Sequence, residues 1–227
     1  MRNATIAGLL VGVLSLVLAA APAAAGTISY NTTYGPEGVP DAGTTVSLNQ
    51  FDEATYGALL KVTLTLDGTA SAGSITWDNE SDVATDVTLG IGGQVTAVAP
   101  SALTLVVVPL QQGDGVGIVA DDDGYPPDFA GADSFTVTGG TGSDSDSAVL
   151  TNAALFAPYK GTGTFDIDIS SIVKTLVLTS GGTGETKPTA GVTSGVVTVT
   201  YEFVPEPATM ALLLAGGLGA LLRRKSR

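Results

Sequence analysis

Polar and apolar residues alternate along most of this chain. From Lys61 to Asp67, Val62, Leu64 and Leu66 fall on one face, and Lys61, Thr63, Thr65 and Asp67 on the other. Phe165, Ile167 and Ile169 repeat the pattern against Asp166 and Asp168, as do Val197, Val199, Tyr201 and Phe203 against Thr198, Thr200 and Glu202. A period of two is the mark of a strand with one buried face. Asp67-Gly68 reads as a turn, after which GSITWDN (73–79) returns with Ile75 and Trp77 inward. Further strands are predicted in TISYNTT, TTVSLNQF, TDVTLGI, LTLVVVPL, VGIVA, SFTVT, AVLTN and KTLVLTS, about eleven short strands in all, with no amphipathic helix between them. The expected fold class is all-β: an antiparallel β-sandwich, with a jelly roll or closed barrel as the alternative.

The two ends depart from this pattern. Arg2 is followed by an apolar run, Ile6 to Ala21, and then by small residues at Ala23 and Ala25. This is the layout of a secretory signal peptide cut after Ala25, so that Gly26 starts the mature chain; the rival reading is an uncleaved anchor. At the other end, Val204-Pro205-Glu206-Pro207 leads into an uncharged stretch from Ala208 to Leu222, and Arg223, Arg224, Lys225 and Arg227 close the chain. A helix over that stretch spans roughly 22 Å, short of a hydrocarbon core of about 30 Å, and the arginines can reach out to make up the difference. The basic end is expected on the cytoplasmic side. A glycolipid-anchor signal would end in the apolar run itself. The expected organisation is therefore a signal peptide over 1–25, a β domain over 26–204 and a tail with a single hydrophobic helix over 205–227.

Charge narrows the function. The span 26–204 holds four lysines and no arginine against 21 acidic residues. Such a surface repels phosphates, which excludes nucleic-acid binding. The chain has no cysteine and no histidine. Thiolate and imidazole metal sites, Ser-His-Asp triads and Cys-His pairs are therefore unavailable, no catalytic residue is assigned, and the protein reads as a non-enzyme.

Residues 111–135 gather Asp114, Asp121, Asp122, Asp123, Asp128 and Asp133. No cofactor is required by this reading; a solvated acidic loop accounts for the composition. If the loop holds an ion, calcium is the one its oxygens suit, with Asp121, Asp123 and Asp128 as ligands. It lacks the later ligands and the twelfth-position Glu of an EF-hand. Asp144 and Asp146 lie in a Gly/Ser-rich stretch read as a flexible loop, and Asp166 and Asp168 read as a solvated strand face. Trp77, Tyr125, Tyr159 and Tyr34 could offer a sugar-stacking surface, although the phase of Trp77 with Ile75 favours the core. Asn31 and Asn79 occupy sequons, which matter only in a host that glycosylates them.

The order Val204-Pro205-Glu206-Pro207, apolar stretch and Arg-Arg-Lys-Ser-Arg resembles a PEP-CTERM sorting signal. That resemblance implies an exopolysaccharide-producing Gram-negative bacterium and an exosortase, a membrane Cys protease-transpeptidase, as the partner that removes the tail near Pro-Glu-Pro. The body of the chain resembles the choice-of-anchor E domain, through LNQFDEATYGALLKVTLTLDGT (48–69) and APYKGTGTFDIDI (157–169), with Tyr56 where the family pattern has Leu. No activity carries over from that family. The expectation is an exported surface or matrix protein, anchored in the inner membrane as a precursor and in contact with exopolysaccharide. The alternative is a carbohydrate-binding module with a structural calcium.

Overall fold

The structure, a computed structural model, describes residues 25–38 and 42–205. The predicted tail helix and most of the predicted signal peptide lie outside the described residues. Among the described residues no helix is long and apolar enough to cross a membrane.

The chain is all-β and its sheets are antiparallel. In order the strands are β1 (Gly26–Gly38), β2 (Ala42–Asn49), β3 (Ala58–Ser71), β4 (Ser74–Asn79), β5 (Thr85–Ala99), β6 (Leu103–Val107), β7 (Leu110–Ile118), β8 (Ser134–Thr138), β9 (Gly142–Leu150), β10 (Thr164–Thr179), β11 (Gly184–Thr189) and β12 (Val192–Val204). A single helical turn, α1 (Glu53–Tyr56), follows β2 and is capped by Asp52, whose carboxylate accepts the Ala54 N–H. The first sheet runs β1-β12-β3-β9. The second runs β2-β10-β5-β6, with β7 also paired to β5, and the third runs β11-β4-β8. Among the described residues no closed barrel forms.

The two long strands β5 and β10 organise the molecule. On one face of β5, Val95, Ala97 and Ala99 join a large core with Val62, Leu64, Leu66, Val197, Val199 and Tyr201 of the first sheet and Ile167 and Ile169 of β10. Further back on the same face, Val87, Leu89 and Ile91 pack with Ile75, Trp77 and Val137 of the third sheet. Between the two cores lies a polar waist. The hydroxyls of Ser171 and Thr193, both almost fully buried, pair at 2.6 Å. A Cβ on Gly93 would come within 2.5 Å of Thr193 Cγ2, so only glycine lets β5 pass there.

The alternating patterns read from the sequence are realised: Val62, Leu64, Leu66, Val197, Val199 and Tyr201 are all buried. Three expectations need correction. The Asp67-Gly68 pair is not a turn: β3 runs through it, because Gly68 lies beneath Val107 and Tyr34, where a side chain would clash. The turn comes at Ala72-Gly73, both at positive φ, and β4 then joins the third sheet and does not pair back on β3. The stretch holding Asp144 and Asp146 is not a flexible loop but strand β9, at the edge of the first sheet. Its acidic side chains reach across to the second sheet, where Asp146 accepts the Val106 N–H at 2.9 Å and Asp144 the Val108 N–H at 2.7 Å.

Candidate functional site

Two regions at opposite ends of the molecule bear on function. The first is the end where the chain leaves the domain. Because β1 and β12 are antiparallel neighbours, Gly26 pairs with Phe203, and the predicted cleavage site at Ala25-Gly26 lies beside the exit to Pro205. Phe203 is held in an aromatic cluster with Phe51 (5.3 Å between centroids) and Tyr56 (5.6 Å), which fixes β12 just before Val204 and Pro205. Of the predicted sorting residues, Val204 and Pro205 are described; Glu206, Pro207, Arg223, Arg224, Lys225 and Arg227 lie outside the described residues, as does Ala23.

The same end brings together the two stretches that carry the choice-of-anchor E resemblance. Phe51 donates its N–H to the Tyr159 carbonyl and Gly161 donates to the Phe51 carbonyl, while Lys160 pairs with Glu53 at 2.7 Å. That contact holds the Glu53 carboxyl below its ordinary value. Beside it lies a groove of about 300 Å³, lined by Tyr30, Gln50, Asp52, Tyr56 and Thr162 among others.

The second region is the acidic loop at the far end, beyond the smaller core. Its floor is the end of β4. Asn79 is buried; its side-chain amide donates to the carbonyls of Val83 and Val119 and its backbone N–H donates to the Asp133 carbonyl, tying β4 to both ends of the loop. The loop carboxylates brace the loop's own backbone. Asp121 accepts from Asp123 and Gly124, Asp123 from Asp128, Asp128 from Ala130 and Asp133 from Asp122. Asp78, from β4, accepts the Phe129 N–H at 2.7 Å.

Carboxylate oxygens of Asp78, Asp123 and Asp128 lie within 4.8 Å of one another, and so do those of Asp121, Asp123 and Asp133. The predicted trio is divided between them: Asp123 belongs to both groups, Asp128 joins it with Asp78 in one, and Asp121 joins it with Asp133 in the other. Asp78 and Asp133 are both 1 % exposed. Asp78 could not be found from spacing, since it sits 43 positions before Asp121. The one available signal was its place at the end of a strand beside a sequon. Burial first, then the charges of Asp133, Asp128 and Asp121, push the Asp78 carboxyl above its ordinary value, with the Phe129 N–H opposing. The Gly124 N–H holds Asp121 below it.

The remaining candidates have structural roles. Trp77, Tyr159 and Tyr34 are buried in the cores and cannot form a stacking surface; of the four aromatics, Tyr125 is exposed. Asp166 and Asp168 accept hydrogen bonds from Ser47 and Thr45 across the outer face of the second sheet. The burial of Asn79 closes that sequon, whereas Asn31 is exposed.

No curated protein matches the chain. Among solved structures it is similar to the infectious bursal disease virus Gx strain structure, at 12 % identity over 82 % of this chain and 43 % of that one, with a TM-score of 0.19. It is also similar to Desmodium yellow mottle tymovirus, at 10 % identity over 80 % of this chain and 88 % of that one, with a TM-score of 0.17. The chain thus spans less than half the length of the first, and likenesses this slight carry no argument. Residues 203–225 match the model of the PEP-CTERM protein-sorting motif. A motif of this kind implies an exported precursor that passes the membrane and undergoes exosortase-type processing, and here it begins within the last strand of the domain.

Proposed function

We propose that this chain is a non-enzymatic component of the cell surface or extracellular matrix of an exopolysaccharide-producing bacterium, delivered there by its C-terminal tail. The observation that carries the reading is the sorting-motif match over 203–225, joined without a linker to β12. Three features support it. The leader and tail junctions are neighbours in the sheet, so both membrane-directed segments leave from one side of the domain. The two choice-of-anchor E-like stretches pack against each other at that side, which supports a domain of that kind. The acidic surface suits a hydrated matrix and resists aggregation.

The groove beside Tyr56 combines two tyrosine rings with amide, carboxylate and hydroxyl groups, the chemistry that recognises a sugar. It favours direct contact with the polymer and keeps the carbohydrate-binding role within the same proposal.

The test is the intact mass of the protein recovered separately from host membranes and from the extracellular polymer. A chain beginning at Gly26 and ending near Pro205 is expected in the polymer fraction. A variant with Pro205→Ala, Glu206→Ala and Pro207→Ala should stay full-length in the membranes. A wild-type chain that ends at Arg227 and occurs only in membranes would overturn the sorting role.

A further inference from the structure

We propose that the far end of the molecule binds a calcium ion, held on Asp123 between Asp78, Asp121, Asp128 and Asp133. The inference rests on the loop and β4 and is independent of the tail.

Grouped acids alone would prove nothing on so acidic a chain. The decisive feature is what is buried among them. Asp78 and Asp133 are each 1 % exposed, and one oxygen of each, Oδ1, is buried without a hydrogen-bond partner. The second oxygen of each is already taken, by the N–H of Phe129 and of Asp122. Glu80 also keeps Oε1 buried and unpartnered nearby. Buried carboxylate oxygens without a donor are costly, and such groups are normally paired or coordinated to a metal.

Among the described residues no basic side chain forms an ion pair with them. The ion pairs among the described residues are Lys61–Glu202 and Lys160–Glu53, both at the other end. Lys187 stands over the Phe129 ring, 5.4 Å from its centroid, and forms no ion pair with the cluster.

The geometry suits a hard cation. Each triad gathers its oxygens within 4.8 Å, and oxygens on opposite sides of a calcium ion, at about 2.3–2.6 Å from it, are separated by that kind of span. Asp123 belongs to both triads, one of which holds the buried Asp78 and the other the buried Asp133. Every donor is oxygen, which disfavours the softer transition metals. Four of the five ligands come from a loop and only Asp78 from a strand, which suits the variable coordination of calcium better than the strict octahedron of magnesium. Gly131 keeps the space beside Asp133 clear: φ is +91°, and a Cβ there would lie 3.0 Å from Asp133 Oδ1.

The chain supplies its own reporter, since its single tryptophan, Trp77, is the neighbour of Asp78. Full-length protein in detergent is stripped with a chelator and titrated with terbium, and luminescence is excited through Trp77. A saturable signal is expected, displaced by calcium and not by equimolar magnesium, and calcium should raise the melting temperature. Asp123→Asn should weaken terbium binding roughly ten-fold or more, while Asp166→Asn, on the outer sheet face at the other end, should leave it unchanged. Asp78→Asn and Asp133→Asn should abolish it. Should either of these buried variants fail to fold, the exposed pair Asp123→Asn and Asp128→Asn carries the test. An unsaturable signal, one that Asp123→Asn leaves intact, or a melting temperature that responds to mild acid but not to calcium would overturn the site.

Discussion

Gly68 shows how one missing side chain shapes the larger core. It lies in the middle of β3, and a Cβ there would come within 2.6 Å of Val107 Cγ2 and 3.2 Å of the Tyr34 hydroxyl. Val107 is fully buried, so it has no empty space to move into. Gly68→Ala should therefore cost about 1–3 kcal/mol through overpacking, read as a lower denaturant midpoint. Adding Val107→Ala should recover part of that loss. Two costs that simply added would show that the residues are not in conflict. The same glycine explains why the turn expected at Asp67-Gly68 is absent. A glycine within an alternating stretch marks a turn or a close approach equally well, and Val107, which decides the matter, lies 39 positions away.

At the scale of elements, β9 shows how a side chain can take over work that a strand would do. The edge strand β6 exposes N–H groups towards β9, and Asp144 and Asp146 accept them. Removing both carboxylates, as Asp144→Ala with Asp146→Ala, should cost about 0.5–1.5 kcal/mol per bond, at the low end because water reaches these groups. Amide hydrogen exchange at Val106 and Val108 should accelerate selectively; unchanged protection there would remove the bracing role. Legibility in the sequence followed burial. Strands with one apolar face, such as β3, the start of β10 and the end of β12, stood out, since the core imposes the alternation. By contrast β9 carries only Ser and Asp from Ser143 to Ser147 and β11 is exposed throughout, so no apolar period marked β11 or the first part of β9; only the end of β9, from Ala148, was read as strand. Three of the five residues of the acidic site were readable because Asp121, Asp123 and Asp128 share one loop, while the fold alone brings Asp78 to it.

At the scale of the whole molecule, the larger core keeps its phenols protonated. Burial pushes the Tyr34 and Tyr159 hydroxyls up to about 12, and Tyr201 is raised further. Between pH 10, where such groups ionise in an unfolded chain, and about 12, the native state binds more protons than the unfolded one. Stability is thus complete below pH 10 and lost as pH climbs towards 12. Tyrosinate absorbance followed together with far-ultraviolet circular dichroism should show these phenols ionising as the sheets collapse. Full ionisation near pH 10 with the sheets intact would contradict the burial. The acidic end follows a different rule: its raised carboxyl at Asp78 disfavours the fold as pH rises, unless a cation balances it.

The exit of the tail from β12 also determines how the domain meets a mechanical load. β12 has 13 residues and lies between β1 and β3, bonded to both along its length. The tail leaves at one tip of this strand, and the acidic loop lies at the opposite extremity of the molecule. Tension between the tail exit and anything gripped at that extremity runs parallel to the strands and stretches both ladders of β12 at once. Such a pull must shear many hydrogen bonds together, whereas a pull across the sheet would peel them apart singly. The layout makes the domain stiffest along the line from the tail exit to the acidic loop.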